Sequence, residues 1–101
     1  LQDKEIFDFL CVISRETSSE AIVCGGSSMQ ILDTTDVLSK IKIPCLILTG
    51  SEDIVVSKEK SLFLYNSIKN ALHTEIKGVG HAPYCENAIE FNEKINSFLL
   101  T

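Results

Sequence analysis

The sequence predicts an α/β fold built on a fragment of parallel sheet: two core strands with a crossover helix and a closing helix, preceded by two further helices. Three observations predict it. Residues 43–48 (Ile-Pro-Cys-Leu-Ile-Leu) are apolar without alternation, and Pro44 bars a helix interior, so the run reads as a strand buried on both faces. Residues 73–77 read as a second short strand. Between the two, Leu64, Ile68, Ala71 and Leu72 stand at i, i+4, i+7 and i+8, the apolar stripe of a helix that covers one face of a sheet. Strand, helix and strand in that order make a right-handed crossover.

The elements follow in chain order. Asp3 caps a first helix that runs to Glu16, with Ile6, Phe9, Leu10 and Ile13 along one face. Thr17-Ser18-Ser19-Glu20 reads as a capping box for a second helix, with Ile22, Met29 and Leu32 as its inner face. Gly25 and Gly26 weaken that helix by about 1 kcal/mol each relative to alanine, so a kink is expected there. Phe9 and Met29 read as core residues more readily than as pocket walls. These helices form a segment over residues 1–35, and residues 36–101 carry the strands. Residues 36–42 are a polar connection into the first strand. Ile54 and Val55, after that strand, are expected to pack beneath the loop. Ser57 caps the crossover helix. The second strand sets Thr74 and Ile76 against His73, Glu75 and Lys77, the alternation of an edge with one wetter side, which makes His73 a surface residue. Asn87-Ala88-Ile89-Glu90 is a capping box opening the last helix, which presents Ala88, Phe91, Ile95, Phe98 and Leu99 to the sheet.

The chemistry-bearing residues sit where these strands end. Gly50 permits a sharp turn at the carboxyl end of the first strand, and Asp53 follows three residues later; ligands and catalytic groups collect at that edge of an α/β sheet. The second strand ends in the same way, with Gly78 and Gly80 breaking the backbone before His81. Adjacent parallel strands would hold a carboxylate and an imidazole at one rim. A histidine acting as general base needs one ring nitrogen free for the nucleophile's proton and a carboxylate on the other to fix its tautomer. Asp53 and His81 are the candidate pair.

The run Ile41-Lys42-Ile43-Pro44-Cys45-Leu46-Ile47-Leu48-Thr49-Gly50-Ser51-Glu52-Asp53, followed by Gly78-Val79-Gly80-His81, Glu86, Phe91 and Phe98-Leu99, resembles the last third of the α/β-hydrolases. The resemblance covers residues 33–100 and includes Asp33, which stands where an aspartate often precedes this strand. Ser57 and Ala88 replace prolines common in the family, which bears on helix starts and leaves the chemistry alone. The resemblance implies that this is the carboxyl-terminal part of a serine hydrolase acting on a small-molecule ester, lactone or amide. Asp53 and His81 would be the acid and base of its Ser-His-Asp triad, with no cofactor or metal. From its place just before the last helix, Glu86 is read as a brace for the histidine loop. In that family the nucleophile precedes the acid, in a Gly-x-Ser-x-Gly elbow. No such motif occurs in this sequence. Gly25-Gly26-Ser27-Ser28-Met29 is the nearest candidate, but Met29 stands where the tight turn wants glycine, and the interval from Ser27 to Asp53 lacks room for the helix and strand the family places there. The serine and oxyanion hole are therefore expected outside these residues, and the chain alone is expected to be inactive.

Composition bounds what remains. A chain of 101 residues makes one domain at most, with a modest core. A net charge of -5 with scattered lysines argues against nucleic acid and against an anionic membrane surface as partner. No apolar run approaches the ~18 residues of a membrane span. The opening residues do not read as a signal peptide. Cys11, Cys24, Cys45 and Cys85 show no Cys-x-x-Cys pairing and no zinc-ligand spacing, so all four read as reduced thiols in a cytoplasmic protein. The first strand has only one neighbour here, leaving a long apolar edge unpaired. Self-association through that edge is expected, and the rival to the enzyme is a noncatalytic module that binds a partner, or itself, in this way.

Overall fold

The computed structural model describes residues 3–101, in the order α1 (Lys4–Glu16), α2 (Ser19–Ile31), a 3-10 helix (Thr35–Lys40), β1 (Cys45–Gly50), α3 (Lys58–Ser67), β2 (Ala71–Ile76), α4 (Pro83–Glu86) and α5 (Ala88–Leu99). It divides into two compact units, the first ending at Asp36 and the second spanning Val37–Thr101.

In the first unit, Asp3 caps α1 by accepting from the amides of Glu5 and Ile6. Thr17 does not open α2 as its sequence context suggested. It closes α1, its hydroxyl donating to the Ile13 carbonyl at 3.0 Å, and the α2 cap is Ser18, which accepts from the Ala21 amide. A hydroxyl one residue before another can serve the preceding helix end, which leaves the cap to its neighbour. The predicted apolar faces are only partly covered: Ile6 and Leu10 are half-buried, with Cys11 beside them, whereas Phe9 and Ile13 are exposed. Ile22, Met29 and Leu32 are exposed as well, so the inner face expected for α2 is absent. Neither helix holds a fully buried residue.

The second unit holds the sheet. β1 and β2 pair in parallel from Cys45 against Ala71 to Gly50 against Ile76, so both strands end at the same level. Two bonds extend the ladder at its ends, from the Cys45 amide to the Asn70 carbonyl and from the Ser51 amide to the Ile76 carbonyl. β2 begins two residues earlier than predicted. Helix α3, capped by Ser57, stops at Ser67, so Ala71 and Leu72 belong to the strand and not to the helical stripe. The Asn70 side chain, donating to the Lys42 carbonyl at 2.9 Å, ties that early start to the entry of β1.

Strand alternation gives the sheet two faces. Thr49, His73 and Glu75 line a cavity with Ser61 and Leu62 of α3. Leu46, Leu72 and Thr74 meet Lys94 and Phe98 of α5 on the other side. With one helix on each face and one neighbouring strand, β1 is half-buried along most of its length and not buried on both faces as its apolar run suggested. The core is Leu38, Ile68, Ile76 and Val79, with Ile76 fully enclosed. Leu38 enters from the 3-10 helix, in a stretch read from sequence as a plain polar connection. His73 is likewise not a surface residue: it is half-buried, its Nε2 lies 2.9 Å from the Thr49 hydroxyl, and its ring lies against Tyr65. On α5, Phe91, Ile95 and Phe98 are the half-buried apolar residues, while Ala88 and Leu99 are exposed. Asn87 caps that helix by accepting from the Glu90 amide, and its own side-chain amide donates back to the Glu90 carboxylate.

Candidate active site

Because β1 and β2 end in register, the loops that follow them leave the sheet side by side. The two loops are stitched together by one backbone bond and one bond to a side-chain hydroxyl. The Glu52 amide donates to the Val79 carbonyl at 2.8 Å, and the Gly78 amide donates to the Ser51 hydroxyl at 2.8 Å. Gly78 takes the left-handed conformation, φ 77°, that turns the chain out of β2. Gly50 serves a different need: a Cβ there would overlap the carbonyl oxygens of Val79 and Gly80, so the loops can approach this closely only because residue 50 has no side chain.

This stitching brings the two predicted residues together, with His81 Nδ1 3.0 Å from Asp53 Oδ2. The carboxylate is well fixed. Its other oxygen, Oδ1, accepts from the amides of Val55 at 2.8 Å and Val56 at 3.0 Å, and the side chain is only 12% exposed. The Val56 amide first, then the His81 ring, hold the Asp53 carboxyl below the ordinary carboxylate value, and partial burial opposes them. The turn that aims those amides at Asp53 sends the side chains of Ile54 and Val55 outward. Ile54 is 96% exposed, so neither residue packs beneath the loop as expected. The imidazole is more open, at 56% exposure.

With Nδ1 donating to an ionised carboxylate, the neutral ring carries its lone pair on Nε2. That is the arrangement a general base requires. Ser27, the nearest serine by motif, lies inside α2 with an exposed side chain, and not on a strand-to-helix turn. All four cysteines are free thiols. Among the described residues no cluster of metal-ligating side chains occurs, and no helix is long and apolar enough to cross a membrane.

Sequence reasoning passed over two contributors to this geometry. The Ser51 hydroxyl ties the loops together, and the short helix α4, with Pro83 in its first turn, carries the chain from His81 to α5. Pro83 just after a Gly-x-Gly-His turn is a helix-start signal that could have revealed α4.

Comparison with solved structures finds similar folds among known proteins. The chain is similar to a predicted CIB-like hydrolase from Thermoplasma acidophilum (29% identity, TM-score 0.63, covering 65% of this chain and 32% of that one). It is also similar to a serine hydrolase involved in carbazole degradation (25%, TM-score 0.64, 68% and 27%). A third similar structure is an N-acyl homoserine lactone degrading enzyme (35%, TM-score 0.62, 65% and 26%). No protein-family model and no curated protein matches. The chain resembles the α/β-hydrolases, and its fold is a parallel-sheet fragment of that class. Its neighbours in structure are hydrolases, and it spans about a third or less of their length.

Proposed function

We propose that the chain is the carboxyl-terminal portion of a serine hydrolase acting on a small-molecule ester, lactone or amide, and that it supplies the acid and the base of a Ser-His-Asp triad. The contact between Asp53 and His81, at the ends of two paired parallel strands, carries this reading. In this role Nε2 of His81 removes the proton of a nucleophilic hydroxyl and later returns it to the leaving group. Asp53 keeps Nδ1 protonated throughout and stabilises the imidazolium that forms. The nucleophile and oxyanion donors are contributed by sequence other than these residues, so the chain alone is inactive. The lactone-degrading neighbour supports a lactone among the substrates. Four free thiols support a reducing, cytoplasmic setting.

A second reading rests on the sheet. Among the described residues β1 pairs with β2 on one side and has no strand partner along its other edge, in an apolar stretch of sequence. Through it the chain self-associates, and a noncatalytic module would use the same edge.

The triad role is tested by the ring tautomer of His81, read from two-bond 1H–15N correlations of the neutral ring. The wild-type protein should show Nδ1–H. In Asp53→Asn, the Val55 and Val56 amides keep the side-chain oxygen on their side, so the new NH2 faces His81, makes Nδ1 an acceptor and moves the proton to Nε2. A wild-type ring already in the Nε2–H form would remove His81 as the base.

A further inference from the structure

From the two hydrogen bonds that Glu86 accepts, we infer that it is a positioning residue for His81, setting the imidazole against Asp53 by holding the backbone on both sides of it. The inference rests on the triad reading above and adds a residue to it. A histidine with more than half its side chain in solvent cannot be held by packing, so the place of the ring is set by its backbone. That backbone is anchored upstream at Val79, whose carbonyl takes the Glu52 amide. The two amides that flank His81 share one acceptor. Glu86 Oε2 accepts from the Gly80 amide at 3.0 Å and from the Ala82 amide at 3.2 Å, the residues immediately before and after His81.

The register of α4 makes this possible. Its four residues, Pro83–Glu86, return the chain far enough for the last of them to reach back over the turn. The amides of Cys85 and Glu86 bond to the Ala82 carbonyl, so Ala82 is held through both its N–H and its C=O. Asp53 is fixed independently by the Val55 and Val56 amides. Loss of Glu86 therefore moves one member of the pair and leaves the other in place. A displacement of about 1 Å is enough to cost a catalytic contact on the order of 100-fold.

The requirement is for an acceptor at the Oε2 position and not for charge. Glu86→Gln can place its carbonyl oxygen there and keep both bonds, whereas Glu86→Ala leaves both amides to water. The experiment is the same 1H–15N correlation of neutral histidine rings, applied to the whole chain in wild type, Glu86→Ala and Glu86→Gln. His73, whose ring bonds to the Thr49 hydroxyl on a face of the sheet, is the internal control for folding.

The inference expects the Nδ1–H signature of His81 in wild type and in Glu86→Gln. In Glu86→Ala that signature should give way to the mixed tautomers of a free ring, with the His73 pattern unchanged. Glu86→Ala that keeps the wild-type His81 pattern overturns the inference and leaves the Asp53–His81 reading standing. If Glu86→Ala loses the His73 pattern as well, Glu86→Gln decides: a wild-type His81 pattern supports an acceptor role, and a disordered one beside an intact His73 overturns it. Absence of the Nδ1–H signature in wild type refutes the triad reading itself, a result distinct from all of these.

Discussion

Replacing Gly50 by alanine should separate the steric requirement of the site from its sequence motif. The new Cβ would lie 2.8 Å from the Val79 carbonyl carbon and would overlap the carbonyl oxygens of Val79 and Gly80. Comfortable separation between carbon atoms is about 3.5 Å, so the histidine loop must withdraw by about 1 Å. All three atoms are backbone and cannot rotate away. Overpacking of this kind costs about 1–3 kcal/mol. The withdrawal also breaks the bond from the Glu52 amide to the Val79 carbonyl, for about 1 kcal/mol more. Against this, alanine restricts the unfolded chain and returns roughly 0.4–1 kcal/mol. The net loss lies between about 1 and 4 kcal/mol, centred near 2 kcal/mol. With a urea slope of about 1 kcal/mol/M for a small protein, the unfolding midpoint should fall by about 2 M. Gly80→Ala is the control. Its Cβ would meet nothing closer than a Glu86 carboxylate oxygen at 3.4 Å, and Gly80 is not in the left-handed region, so its stability should stay within about 0.5 kcal/mol of wild type. Equal losses in the two variants would show that the loops are not packed at Gly50 and would refute the reasoning.

Three further outcomes are expected. Asp53 has its folded-state pKa lowered, so its contribution to stability is present above the unfolded value of about 3.9 and is lost as pH falls through the lowered folded value. Urea midpoints measured from pH 7 down to pH 3 should therefore fall less in Asp53→Asn than in wild type, and parallel curves would contradict this. Sedimentation at high micromolar concentration should show a dimer joined along the free β1 edge, and a clean monomer would count against self-association. Finally, the chain alone should not hydrolyse a p-nitrophenyl ester with saturation kinetics; activity that disappears in Ser27→Ala would show that the nucleophile lies in α2 after all.

What could be read from the sequence is what local chemistry decides. Pro44 and the unbroken apolar run after it mark β1, Ser57 and Asn87 are caps because a short polar side chain before a helical stretch has a backbone amide to accept from, and Asp53 and His81 stand out because each follows a glycine-marked strand end. Those signals act over a few residues, so they survive without knowledge of the rest of the molecule. Exposure and contact across the fold do not have that property. The apolar residues Ile22, Met29 and Leu32 give no sign of being exposed, nor does His73 reveal that α3 and Thr49 enclose it. The start of β2 at Ala71 is settled by its pairing with Cys45, against a helical spacing that ran on to Leu72. Even within the Gly-x-Gly-His turn, sequence assigns each glycine the same freedom. Only tertiary structure shows that Gly78 is needed for its backbone angle and that the close approach depends on Gly50, 28 residues before Gly78 in the chain. The physical reason is that register and loop packing are set by the sum of many weak long-range contacts, and no single stretch of sequence contains both sides of any of them.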